Sequence, residues 1–138
     1  HLGDVVEGVE NTVNTRYKSV DRQFESFLKK YPYDPYILNF ILLGNHDNWS
    51  VNTYEELGFN VLKNAPIKLD NYKLLLSHTP TPDKQIPEGY INVHGHIHNK
   101  SLYDCIEKYN PSMYTIKRHV NVSCDVTDFT PISIEKLL

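Results

Sequence analysis

The stretch Tyr36-Ile-Leu-Asn-Phe-Ile-Leu-Leu43, followed at once by Gly44-Asn-His-Asp47, decides how the chain is read. Seven of its first eight residues are apolar and occupy both parities, whereas a half-exposed strand alternates. The run 36–43 is therefore expected to be a central strand covered on both faces, the habit of parallel sheets. It stops on an amide, an imidazole and a carboxylate in succession. Polar groups of this kind are costly to bury without partners, so a strand that ends on them is one that presents them.

Working outward from this segment, Tyr17, Val20, Phe24, Phe27, Leu28 and Tyr31 recur at three- and four-residue spacing, which predicts a helix over 15–30 that Pro32 and Pro35 end. Downstream, a short helix is expected over 54–57, closed by Gly58. Short strands should follow at 59–63, 67–69 and 72–77, with Asn64-Ala-Pro66 and Asp70-Asn71 as turns. A loop rich in Pro and Thr covers 79–88, an apolar strand 90–93 and an irregular excursion 99–117. Residues 118–126 alternate like a strand, and 133–138 read as a terminal strand or short helix. Strands separated by helices and then grouped late predict an α/β sandwich of mixed sheets, with 1–138 as a single domain.

Composition narrows the function classes. The 138 residues are 40% hydrophobic and 22% charged, in the range of a soluble globular protein, and no apolar run reaches the roughly 18 residues of a membrane span. A formal charge of −3 lacks the basic excess that drives tight binding to a phosphate backbone, which disfavours double-stranded nucleic acid as a partner. Cys105 and Cys124 have neither zinc-type spacing nor the density of a disulfide scaffold, so they read as reduced thiols of a cytoplasmic protein.

Residues able to hold a metal collect behind the apolar segments: Gly3-Asp4, Gly44-Asn45-His46-Asp47, Ser77-His78 and Gly95-His96-Ile97-His98. Open α/β sheets place their sites where strands end and loops begin, so these four segments should meet in one crevice. Oxygen and imidazole donors without thiolate favour Mn²⁺, Fe or Zn²⁺. In Gly95-His-Ile-His98 the glycine frees the backbone to turn while two imidazoles leave the chain one residue apart.

In this order and spacing, GD, GNHD, a lone His and GHxH resemble the motifs of the calcineurin-like metallophosphoesterases, and the ending Asn121-Val-Ser-Cys-Asp-Val-Thr-Asp-Phe-Thr-Pro-Ile-Ser133 resembles their small bacterial and phage members. The resemblance implies an αββα sandwich of two mixed sheets, two divalent ions (Mn²⁺ foremost, with Fe, Zn²⁺ or Ni²⁺ as alternatives), and hydrolysis of nucleotides or other small phosphoesters by a metal-activated water. Carried over by position, Asp4 would bridge the ions, Asn45, His78 and His96 would hold the second, and His98 the first. His46 would face the substrate as a catalytic group. Asp47 reads either as a support for these ligands or as a turn carboxylate.

The family's opening D-x-H segment has no counterpart ahead of Asp4, so the domain is expected to be N-terminally incomplete, its first metal site keeping only Asp4 and His98. GDVVEG lacks the arginine of protein phosphatases and Asp47 stands where they carry Glu, which disfavours phosphoprotein substrates and leaves a phosphodiesterase or phosphatase for small esters. The alternative is a catalytically impaired phosphoesterase fold acting as a binding scaffold. His94 and His119 read as structural histidines, and Tyr103, Tyr109 and Tyr114 as packing residues.

Overall fold

The computed structural model describes residues 22, 25, 29, 36, 38–47, 50–62, 66–102, 104, 110–128 and 130–137. The chain is α/β, with two small sheets and few helices, and it divides into two compact units after residue 63. Of the helix expected over 15–30, Arg22, Glu25 and Lys29 are described, and they are helical. The rest of that segment, and Asp4 with it, lies outside the described residues.

In the first unit, β1 (Phe40–Leu42) pairs in parallel with β2 (Asn60–Leu62), Ile41 opposite Val61. Helix α1 (Val51–Glu56) joins them. It starts where it does because the Ser50 hydroxyl accepts a hydrogen bond from the Thr53 N–H at 3.3 Å, satisfying one of the donors a helix start leaves free. It stops at Gly58, whose φ of +89° lets the chain reverse without a Cβ clash. The helix and its cap therefore begin three residues earlier than the apolar spacing suggested, at a Ser-x-x-Thr signal. Ile41, Leu42, Tyr54 and Phe59 are buried.

The expectation of a strand over 36–43 covered on both faces needs correction. The ladder holds three residues, and Tyr36, Leu38 and Phe40 are exposed, Tyr36 at 95%. The partner strand sets the limit. β2 is itself three residues long, and its first residue, Asn60, already closes the start of the ladder by donating from backbone and side chain to the Asn39 carbonyl at 2.8 and 3.2 Å. Upstream of Asn39 the apolar side chains have no ladder to follow among the described residues.

The second unit is a four-stranded mixed sheet in the order β3 (Ile67–Leu69), β4 (Leu74–Ser77), β5 (Ile91–His94), β6 (His119–Asn121). β3 runs antiparallel to β4, while β4, β5 and β6 are mutually parallel. The first turn is tight because Asp70–Tyr72 forms a 3-10 turn closed by Lys73 in the left-handed region, and this delays β4 by two residues relative to expectation. Leu75, Ile86 and Tyr90 cluster on the connection from β4 to β5, and each such buried side chain contributes roughly 1.5–3 kcal/mol. Arg118 ties that connection to β6: its guanidinium donates to the carbonyls of Asp83, Ile86 and Pro87 at 3.1, 3.1 and 2.8 Å.

β6 is shorter than the expected 118–126. Asn121 ends it, because its side-chain oxygen accepts from the Ser123 N–H at 3.0 Å and from the Ser123 hydroxyl at 2.7 Å, turning the chain out of the ladder. The C-terminal segment forms a 3-10 turn at Ile134–Lys136. Among the described residues, no helix is long and apolar enough to cross a membrane.

Register decides what the parallel strands present. Leu75, Asn92 and His119 stand in one row and Ser77, His94 and Asn121 two rows on, with Leu76, Val93 and Val120 between them on the opposite face. Residues in register share a face, so one face of the sheet turns polar over its last two rows, just where the strands end.

Candidate metal-binding site

Three parallel strands stop level with one another, at Ser77, His94 and Asn121, and their next residues carry the ligand chemistry. Pairing continues one step past the strands: Gly95 N–H donates to the His78 carbonyl at 3.0 Å and Val122 N–H to the His94 carbonyl at 2.8 Å. This fixes the backbone on both sides of the loop Gly95–His98.

Across that end, His78 Nε2 and His96 Nδ1 stand 3.1 Å apart, with ring planes at 72°. Two nitrogens at about 2.0–2.1 Å from one ion would lie roughly 2.9 Å apart in cis octahedral and about 3.35 Å in tetrahedral geometry, so the observed separation fits a shared cation. The same separation suits an N–H···N bond between neutral rings, in which case a metal requires the shared proton to move to another ring nitrogen. His78 is buried and His96 half-buried.

Backbone strain accompanies the pair. His96 and His98 have φ of +66° and +53°, in the left-handed region where a non-glycine residue costs on the order of 1–3 kcal/mol. Between them Ile97 is buried with Leu102, against which Tyr114 packs. Ile97 anchors the loop, with half-buried His96 against His78 before it and exposed His98 after it.

The loop after β4 is set by a polar network that sequence reasoning did not find. Asn92 has no solvent exposure, and its amide donates to the Leu75 carbonyl and the Ser77 hydroxyl, both at 2.8 Å, while its oxygen accepts from the Thr81 N–H at 2.8 Å. Ser77 in turn donates to the Thr79 carbonyl at 2.7 Å and accepts from the Thr81 hydroxyl at 3.2 Å. His78 lies within this bonded turn. The pattern was hidden because a lone Asn in an apolar strand carries no spacing signature.

His98 stands apart in kind. Its side chain is 67% exposed, and its Nδ1 meets Asp125 Oδ2 at 2.8 Å. The Asn121 amide donates to the His98 carbonyl at 2.6 Å. His94 is 1% exposed and its Nδ1 meets the Gly95 carbonyl at 3.0 Å; burial pushes its pKa down to about 4, so it is a neutral buried histidine at pH 7. The His119 side chain is also buried, its ring 5.6 Å from His94 and 5.5 Å from Tyr114.

In the other unit, the residues after β1 form a turn in which Asp47 is the organising group. Its carboxylate accepts from the Gly44 N–H at 2.9 Å and from the buried Tyr54 hydroxyl at 3.2 Å. Asp47 thus pins the turn that carries exposed Asn45 and half-buried His46. Asp4 lies outside the described residues, as do Cys105, Tyr103 and Tyr109. Cys124 is a free thiol.

Of the sequence-predicted ligands, the structure brings His78 and His96 together. Among the described residues no set of three His, Cys, Asp or Glu side chains gathers at metal-holding distances. Comparison with protein-family models, with curated proteins and with solved structures returns no match to the chain.

Proposed function

We propose that the chain is a metal-dependent hydrolase of phosphoester bonds, acting on nucleotides or other small phosphoesters within an αββα sandwich fold. The observation that carries this reading is the His78–His96 nitrogen pair, 3.1 Å apart at the carboxyl ends of adjacent parallel strands. A lone structural histidine needs no partner of its own kind. The strained backbone of His96 and His98, and the motif order GD, GNHD, His, GHxH in the sequence, support the same reading.

Divalent ions held there would supply Lewis-acid polarisation of the phosphoryl oxygens and a water that ionises near neutral pH. His78 and His96 would donate ring nitrogens to one ion; the motif resemblance, rather than any measured distance, assigns Asn45 and Asp4 as its oxygen donors and His98 as a donor to the other. Asp47 holds the Gly44–Asp47 turn so that the His46 ring is available to stabilise charge on the ester or to protonate the leaving oxygen. The chain needs no Ser or Cys nucleophile for this chemistry.

The test is Mn²⁺ binding by calorimetry together with hydrolysis of bis(p-nitrophenyl) phosphate. Wild type should bind the ion and turn over only in its presence, and His96→Ala should lose both properties. Hydrolysis that survives dialysis against chelator overturns the proposal. The second reading, a binding scaffold, expects no metal-dependent turnover in the wild type.

A further inference from the structure

The segment Asn121-Val-Ser-Cys-Asp125, part of the ending that resembles the small bacterial and phage metallophosphoesterases, contains none of the proposed metal ligands. Its position is informative. Asn121 is the last residue of β6, in register with His94, and its side chain faces the loop that leaves β5. Three hydrogen bonds occupy that side chain: it donates to the His98 carbonyl at 2.6 Å and accepts from the backbone and hydroxyl of Ser123 at 3.0 and 2.7 Å. The same turn delivers Asp125, whose Oδ2 lies 2.8 Å from His98 Nδ1. His98 is therefore held twice by one short segment, once by its backbone and once by its ring.

The two contacts have different consequences. An exposed histidine at a φ of +53° pays for its backbone conformation and, unaided, samples several ring orientations. The Asn121 amide stabilises the turned backbone. The Asp125 carboxylate selects the tautomer, because an acceptor at Nδ1 keeps the proton there and leaves Nε2 with a free lone pair. Nε2 is the nitrogen that points away from the contact.

We infer that Asp125 and Asn121 are positioning residues for His98, orienting its ring with Nε2 as a donor to a divalent cation. This rests on the metal-dependent reading of the site. Asp125 touches neither substrate nor ion; it acts through the imidazole. Carboxylate–histidine pairing of this kind typically changes metal affinity by about 10–100-fold when broken.

The experiment uses the full chain, with Asp125→Ala and Asp125→Asn beside the wild type and His96→Ala. Two readouts are taken: the His98 ring tautomer from imidazole ¹⁵N shifts in metal-free protein, and Mn²⁺ affinity by calorimetry. Wild type should show His98 protonated at Nδ1. Asp125→Ala should mix the tautomers and weaken binding of one equivalent of Mn²⁺ by about 10–100-fold, and Asp125→Asn, which keeps an acceptor oxygen, should lie between. Unchanged circular dichroism and melting of both variants establish that the exposed carboxylate is not needed for folding. Wild-type Mn²⁺ binding that depends on His96, with tautomer and affinity unaltered in Asp125→Ala, overturns the positioning role and leaves the metal reading standing. No His96-dependent binding in the wild type overturns both.

Discussion

Asn92, at zero solvent exposure, donates its amide to the Ser77 hydroxyl at 2.8 Å across the β4–β5 ladder. Ser77 directly precedes His78, so this bond locks the residue on which the histidine's position depends. All three hydrogen-bonding partners of Asn92 lie on β4 or the turn after it.

Replacing Asn92 by Ala removes the donor to Leu75 and Ser77 and the acceptor for Thr81 at once. Leaving buried polar groups without partners costs about 1–3 kcal/mol for each group, so a loss on the order of 3 kcal/mol is expected from urea unfolding midpoints at constant slope. Asn92→Asp should not restore it, since at zero exposure a carboxylate keeps the acceptor for the Thr81 N–H but sets a buried charge against the Leu75 carbonyl oxygen that the amide donates to. A loss below about 1 kcal/mol for the alanine variant would show that the turn holds itself without the network.

The turns of the fold were legible from residue types whose physical meaning is local, and of the candidate site the described residues show the approach of His78 to His96. Gly58 and the pair Asp70-Asn71 marked where elements turn, as the positive φ values of Gly58 and Lys73 show, whereas in Gly95-His-Ile-His98 the left-handed backbone falls on His96 and His98 rather than on the glycine expected to free the turn. The apolar run 36–43 misled because apolarity reports the wish to be buried, whereas strand length is set by the partner, here the three residues of β2. Asn92, Asn121 and Asp125 were not legible. The partners that place them at the site, Leu75, Ser77 and Thr81 for Asn92 and His98 for Asn121 and Asp125, lie eleven or more residues away, and a polar residue in a strand reads as an ordinary outward-facing position until the sheet's register is known.

His119 offers a pH prediction with a geometric cause. Its Nε2 lies 3.0 Å from Asp83 Oδ1, while Nδ1 is buried without a hydrogen-bond partner. Burial lowers the His119 pKa below its ordinary value and outweighs the attraction of the Asp83 carboxylate. The pair is therefore a neutral imidazole donating to a carboxylate at pH 7, and Nδ1 is a bare lone pair rather than an orphaned N–H. Because the folded pKa lies below the unfolded one near 6.5, the unfolded chain takes up the proton first and stability falls as pH drops below that value. His94, whose pKa is lowered to about 4 by burial, acts in the same direction, whereas Asp83, lowered from 3.8, contributes only in stronger acid. Urea midpoints between pH 7.5 and 5 should fall in the wild type and fall less steeply in His119→Gln. Equal slopes would mean that the ring takes up its proton as readily inside the fold as in the unfolded chain.

His46 separates turnover from metal binding. It is half-buried in the turn that Asp47 pins to Gly44 and Tyr54. On the proposed chemistry it meets the ester rather than the ions. General acid assistance contributes about 10²–10⁴ in rate, so His46→Ala should lower kcat for a phosphodiester with a poor leaving group at least about tenfold, while calorimetric Mn²⁺ stoichiometry and affinity stay within about twofold of wild type. An ester with an activated leaving group, which needs no proton on departure, should lose much less. If Mn²⁺ affinity drops in step with kcat, His46 is a ligand rather than an acid. If both esters slow equally, its work is charge stabilisation at the phosphoryl oxygens rather than proton transfer.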